Sequence, residues 1–436
     1  MRENKVSLNE ILKLNIQDLT SESEGVAKIN NFTVFVASSI PGDVVKAKVY
    51  LVKKNYAKAK LLEIITPSEH RVESTYSNEG SELIIMDYNA TLNWKKRHVE
   101  KTIEKIAKIR LEVEEIIPST PRTGYRNKCT YPVRDSKIGV FYKGTHDICE
   151  IDFSPNNNPE LDEIMRLIRS KLDYVSTYNE KTNAGSLRHV VVRKSSLGEM
   201  MVVLVIKEDS DLSPIVDELK NYGVDTVLIN YNRKKTNLIT GRIYKTVYGS
   251  GYIKEKIGKS YYLLGPDSFF QVNHQIMIKI YNEVRKYIKK IQPNVVFDLY
   301  SGMGTIASHI SDLVDRVYAI EVNEEAVTRG KLSAKENNIE NIIFIKGKSE
   351  EKIREIKDTP DLVIVDPPRK GLDKSLIDSI IKSRVKHVIY VSCKPSTLAR
   401  DLKVFSDNGY EAKELKCYDM FANTGHVECI IMMSRN

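Results

Sequence analysis

A lone cysteine, Cys393, stands between a run of β-formers and the start of a helix in "YVSCKPSTLARD", residues 390–401. The preceding "VKHVIYVSC" is short, β-branched and apolar, the pattern of a strand buried on both faces of a parallel sheet. Pro395 suits the first turn of a helix, where its missing N–H is not needed, and "STLARDLKVF" keeps an apolar stripe at helical spacing. Cys393 therefore lies just ahead of a helix N-terminus. Unpaired N–H groups there, with Lys394, are expected to favour thiolate and lower the thiol pKa. Cys393 is thus a candidate nucleophile; free cysteine is also among the most buried residue types, and a small apolar strand end is the alternative reading.

Further residues gather at the same edge of the expected sheet. In "NVVFDLYSGMGTIASHI", Gly302, Gly304 and Ala307 match the G-x-G-x-x-G/A turn of a nucleotide-binding strand and helix. The next strand, "RVYAIEVN", ends in Glu321, spaced to accept hydrogen bonds from ribose hydroxyls. "DLVIVDPPRKG" ends in Asp366, Pro367 and Pro368, whose prolines hold the chain extended and leave a carboxylate and free carbonyls where open α/β sheets bind ligands. The final strand, "HVECIIMMS", carries Glu428 within an apolar run. Burial there should raise its pKa and make it a general base near neutral pH, or else it is a carboxylate bonded to backbone at a sheet edge. His426, two residues earlier, is read as facing the same side of that strand in a supporting role.

These residues require a frame. The chain has 436 residues, 41% of them hydrophobic, enough for two or three domains. It has no apolar run of the ~18 residues that a membrane span needs. The polar start "MRENKVSLNEILKLN" lacks a signal-peptide core, so a cytoplasmic protein is expected. Five cysteines include no C-x-x-C pair, which argues against a metal site and a disulfide framework. The net charge of +9 is concentrated in "KKNYAKAK" (53–60), "WKKRH" (94–98), "RTGYRNK" (122–128) and "NRKK" (232–235), with tyrosines interleaved, as a nucleic-acid partner would require.

Short alternating strands over 1–66 predict a small closed β-barrel. A helix is predicted over about 93–109, with Trp94, Val99, Ile103, Ile106 and Ile109 on one stripe. Residues 122–262 read as strands interrupted by two helices, an α+β pattern, and the chain after 263 alternates strand and helix as a doubly wound parallel sheet.

Together the motifs resemble the RNA uracil-5-methyltransferase family. The matching pieces are "FFQVN" (269–273), "DLYSGMGT" (298–305), "IEVN" (320–323), "DPPRKGL" (366–372), "SCKPSTLARD" (392–401) and "DMFANTGHVE" (419–428). The resemblance implies an α/β doubly wound Rossmann-like methyltransferase domain at 93–121 and 263–436. It further implies an OB-like TRAM barrel at 1–66 and a central α+β RNA-binding domain at 67–92 and 122–262. It assigns the nucleophile to Cys393, the proton-abstracting base to Glu428, and S-adenosyl-L-methionine contacts to Gln271, Tyr300, Glu321 and Asp366. The barrel points to the branch acting on 23S ribosomal RNA, with tRNA as the alternative, and a monomer without membrane contact is expected. Many members hold an iron–sulfur cluster on cysteines; here Asn78, Ser81 and Ser154 stand at such positions, so no cluster is expected.

Three other readings compete. In an RNA cytosine-5-methyltransferase a second catalytic cysteine would follow the loop's proline, where Arg369 stands. A nicotinamide oxidoreductase rests on the glycine turn alone. A non-catalytic RNA-binding or ribosome-assembly factor would have no need of both Cys393 and Glu428.

Overall fold

The computed structural model describes residues 6–76, 79–235 and 237–435; Asn78 lies outside them. At the N-terminal end, a six-stranded sheet runs in the order Ile11–Asn15, Val44–Val52, Tyr56–Thr66, Phe32–Val36, Gly25–Ile29, Asp18–Leu19. It curls because its two outer strands are joined by only two residues, and Gln17 N donates to Val26 O at 2.8 Å. Every second residue points inward. The interior is packed with small side chains such as Ala27, Ala47, Ala57 and Ala59 among valines, which a narrow barrel requires.

The middle of the chain forms a second six-stranded sheet, ordered Ile243–Tyr248, Thr226–Tyr231, Met200–Ile206, Leu187–Lys194, Lys128–Arg134, Lys137–Ile138. Helices Pro159–Arg169 and Ser213–Tyr222 bury Leu161, Ile164, Ile215 and Leu219 against one face. Val191, Val203 and Val205, on the other face, join the core of the third unit.

That third unit is an eight-stranded sheet in the order Ile342–Lys346, Arg316–Glu321, Val295–Leu299, Leu362–Val365, His387–Ser392, Glu428–Arg435, Tyr410–Tyr418, Glu115–Ile117. The first five strands are parallel, as the alternation predicts. Glu428–Arg435 instead runs antiparallel to both of its neighbours, so the sheet is mixed. This reversal has a consequence for chemistry. A residue that opens an antiparallel strand lies on the same edge as the residues that close the parallel ones, which brings Glu428 to the ligand-binding edge.

The helix expected over 93–109 spans Tyr88–Ala107 and packs on helix Pro395–Asp407. It starts earlier because the Asp87 carboxylate accepts from Ala90 N, and ends at Lys108 in the left-handed conformation, leaving Ile109 outside. Hairpin Ile253–Leu264 packs Ile253, Ile257 and Tyr262 with Ile276 and Ile280 of helix His274–Ile291, within the large-sheet core. No helix among the described residues is long and apolar enough to cross a membrane.

Candidate active site

The strand Val295–Leu299 delivers Asp298 and then a turn in which Tyr300, Gly302 and Gly304 all take left-handed backbone angles. A side chain at Gly304 would come within 2.7 Å of the Phe344 ring, while a Cβ at Gly302 would meet no atom within 4 Å. The turn is thus tight against the core on one side and open to a ligand on the other. Glu321 fixes the turn to the neighbouring strand: its carboxylate accepts from Gly302 N at 3.0 Å and from Asn323 N at 2.8 Å.

A cavity of about 700 Å³ opens at this edge. Gln271, Tyr300, Glu321, Asp366, Cys393 and Glu428 all line it, so every residue singled out for cofactor or catalysis faces one space. Register explains the last pair. Ser392, the last residue of its strand, is paired with Cys429, the second of the neighbouring strand, so Cys393 and Glu428 both lie just beyond that pair.

The electrostatics of this edge are unusual. Glu428 is only 1% exposed, and its Oε1 has no hydrogen-bond partner among the described residues. Burial first, then the neighbouring Asp366, pushes its carboxyl well above the usual range, while Arg369 pulls the other way. Burial likewise raises Asp366 to about 7 and Asp298 to about 8; the Asp298 carboxylate accepts from Ala307 N at 3.2 Å.

For Cys393 the sequence expectation is reversed. The thiol is pushed up to about 11, by burial and then by Glu428 and Asp366, against a smaller pull from Arg369. Lys394 is exposed to solvent. The helix start is present, but burial of the sulfur, helped by the two carboxylates beside it, outweighs it.

Several lining residues carry no role in the sequence reading, four of them of note. Phe269 is 73% exposed at the cavity mouth although it lies within the quoted "FFQVN". Asp298, Arg369 and Phe421 also line the cavity, and only the "DPPR" and "DMF" motifs hinted at the last two. His426 precedes the last strand rather than lying on it. It faces a smaller adjoining hollow that shares Arg369 and Phe421 with the main cavity, its ring set edge-on to Phe421 at 6.1 Å.

A nucleotide-type glycine turn, a thiol and a buried carboxylate on one edge of an α/β sheet define a Rossmann-like enzyme of the methyltransferase class. The chain belongs to the tRNA (uracil-5-)-methyltransferase family, whose profile matches residues 87–436, and a TRAM domain profile matches residues 5–62. It is 37% identical to an "uncharacterized RNA methyltransferase" of Clostridium tetani, covering 98% of this chain and 97% of that one. A protein of the same description from Clostridium acetobutylicum is 38% identical over 99% and 98% of the two chains. Among solved structures it resembles the Pyrococcus abyssi tRNA (uracil-54, C5)-methyltransferase in complex with S-adenosyl-L-homocysteine. That likeness has a TM-score of 0.81 and 28% identity over 97% of this chain and 99% of the other.

Proposed function

We propose that this chain methylates C5 of uridine in 23S ribosomal RNA, with Cys393 as nucleophile and Glu428 as base. The observation that carries the chemistry is the shared lining: thiol and unpartnered buried carboxylate face one cavity from the adjoining ends of adjacent strands. The open space over Gly302 and the Glu321 carboxylate beside it suit a nucleoside, and Gln271, Tyr300, Glu321 and Asp366 are the residues that would hold S-adenosylmethionine. When bound, that group supplies an electrophilic methyl carried on a positively charged sulfur.

The protein's own residues do the remainder. The Cys393 thiolate forms a bond to C6 of the ring, and the displaced pair is delocalised as an enolate that makes C5 nucleophilic. After C5 is alkylated, Glu428 removes the C5 proton. The resulting electron pair restores the C5–C6 double bond and expels the thiolate. A positive charge brought beside Cys393 favours thiolate and carboxylate together, offsetting the burial that holds both neutral. Phe269, exposed at the mouth, offers a face on which an unstacked base can rest.

The 23S reading rests on the N-terminal barrel. A tRNA reading is favoured by one observation: the Pyrococcus abyssi tRNA enzyme matches 97% of this chain, barrel included. We place the domain divisions at 66, 92 and 121, and move the fourth, expected at 262, ahead of Ile253, because the hairpin shares the large-sheet core. RNA tritiated at uridine C5 should release label in the presence of methyl donor. Release from rRNA but not tRNA supports the proposal; release from tRNA alone selects the second reading, and release from neither refutes the activity.

A further inference from the structure

The middle sheet carries a second cavity, of about 570 Å³, that the methyl-transfer chemistry does not use. Its walls are cationic and aromatic. Arg188, only 4% exposed, donates to the carbonyls of Asn232 and Lys234 at 2.7 and 2.8 Å and lies over the Tyr178 ring at 4.7 Å. It has no carboxylate partner among the described residues. Arg134 lies over the Phe141 ring at 5.1 Å and pairs with Glu180, the single carboxylate among the described lining residues. His189, 7% exposed, lines the same space, and its Nδ1 has no hydrogen-bond partner among the described residues. Exposed Lys235 closes the rim.

A buried guanidinium without an acid partner is costly, and an anion relieves it. Aromatic faces beside cations add a surface for an unstacked base. The cavity also lies in line with the catalytic one. Pro132 and His189 are opposed in the sheet, as are Thr130 and Val191, then Lys128 and Arg193, and with a period of two these pairs share one face. The first pair and Thr130 line the second cavity. At the far end of the row, Arg193 donates to the carbonyls of Gly265 and Ser268, at 3.4 and 2.6 Å, in the loop whose Asp267, Ser268 and Phe269 line the catalytic cavity. His189 and Arg193 are separated by ~13 Å of strand, and because Val191 between them is packed in the large-sheet core, an RNA that reaches both cavities passes outside this row.

We propose that this cavity binds one unstacked nucleotide of the RNA outside the target uridine, its phosphate drawn by Arg134, Arg188 and Lys235 and its base set against Phe141. The inference rests on the reading of the chain as an enzyme of RNA. The test is fluorescence anisotropy on the full chain with two probes, a 12-nucleotide and a 4-nucleotide oligouridylate. A Phe141→Ala/Lys235→Ala variant should bind the 12-mer about tenfold more weakly. Its affinity for the 4-mer and for S-adenosylhomocysteine should not change. His189→Gln, a smaller change, should weaken the 12-mer in the same selective way and serves if the double variant does not fold. Unchanged 12-mer affinity in a folded variant overturns the inference while leaving the methyltransferase reading intact. Binding of uridine 5′-monophosphate that is lost in the variant while the 12-mer is unaffected assigns the cavity to a free nucleotide and also overturns it. If the wild-type chain binds neither oligonucleotide, the RNA reading and the inference fall together.

Discussion

Two carboxylates nine residues apart, Asp419 and Glu428, are both sealed from solvent, yet their surroundings are opposite. Asp419 is fully matched: the Lys95 ammonium, itself 0% exposed, pairs with one oxygen, and the Tyr88 hydroxyl donates to the other at 2.7 Å. Lys95 also donates to Phe421 O at 3.2 Å, tying helix Tyr88–Ala107 to the loop that precedes Glu428. Glu428 has a free oxygen turned to a cavity that also holds a thiol. The contrast separates scaffold from reaction. A buried charge whose bonds are all made holds the chain in place, whereas the unmatched acid fits the proton acceptor we propose.

The largest effect should come at the reactive end. Cys393→Ala removes the proposed nucleophile, so tritium release should fall to background while binding of S-adenosylhomocysteine persists; retained release would show that another group attacks the ring. The scaffold end should respond in stability instead. Lys95→Met leaves Asp419 buried without its counter-charge and is expected to cost about 3–5 kcal/mol in denaturant unfolding. Glu428→Gln, which removes an unmatched acid, should cost nothing or stabilise. Equal losses for the two would erase the distinction drawn here.

A milder effect sharpens the electrostatics. With the thiol held near 11, alkylation of Cys393 by iodoacetamide should be slow at pH 8 and accelerate as pH rises. Glu428→Gln removes an acid whose ionised form raises the thiol, so it should speed the reaction at high pH, where Glu428 is ionised. A rate already maximal at pH 7 would restore the helix-terminus view of a depressed thiol. The smallest effect belongs to the cavity mouth: Phe269→Ala should raise KM for RNA by about five- to tenfold, on the scale of one lost base stack, with kcat nearly unchanged.

Much of the catalytic edge was legible because strand ends announce themselves. Apolar runs that stop at Asp366, Cys393 and the glycine turn give both the fold class and the side of the sheet on which ligands lie. Three features were not legible. Reversal of the last strand depends on which neighbours it pairs with, information absent from its own residues. The direction of the Cys393 shift is set first by its burial and then by Glu428 and Asp366, all of which only the folded chain brings about. The polar start of helix Tyr88–Ala107 hid its role, since Tyr88 and Lys95 gain meaning only through Asp419, more than 300 residues away.

The central claim is tested most directly by trapping the reaction between its two halves. Glu428→Gln protein incubated with methyl donor and acceptor RNA, then denatured, digested and examined by mass spectrometry, should yield a nucleotide that is methylated at C5 and still joined to the Cys393 peptide, because nothing removes the C5 proton. Absence of any protein–RNA adduct, or an adduct on another residue, would contradict the account.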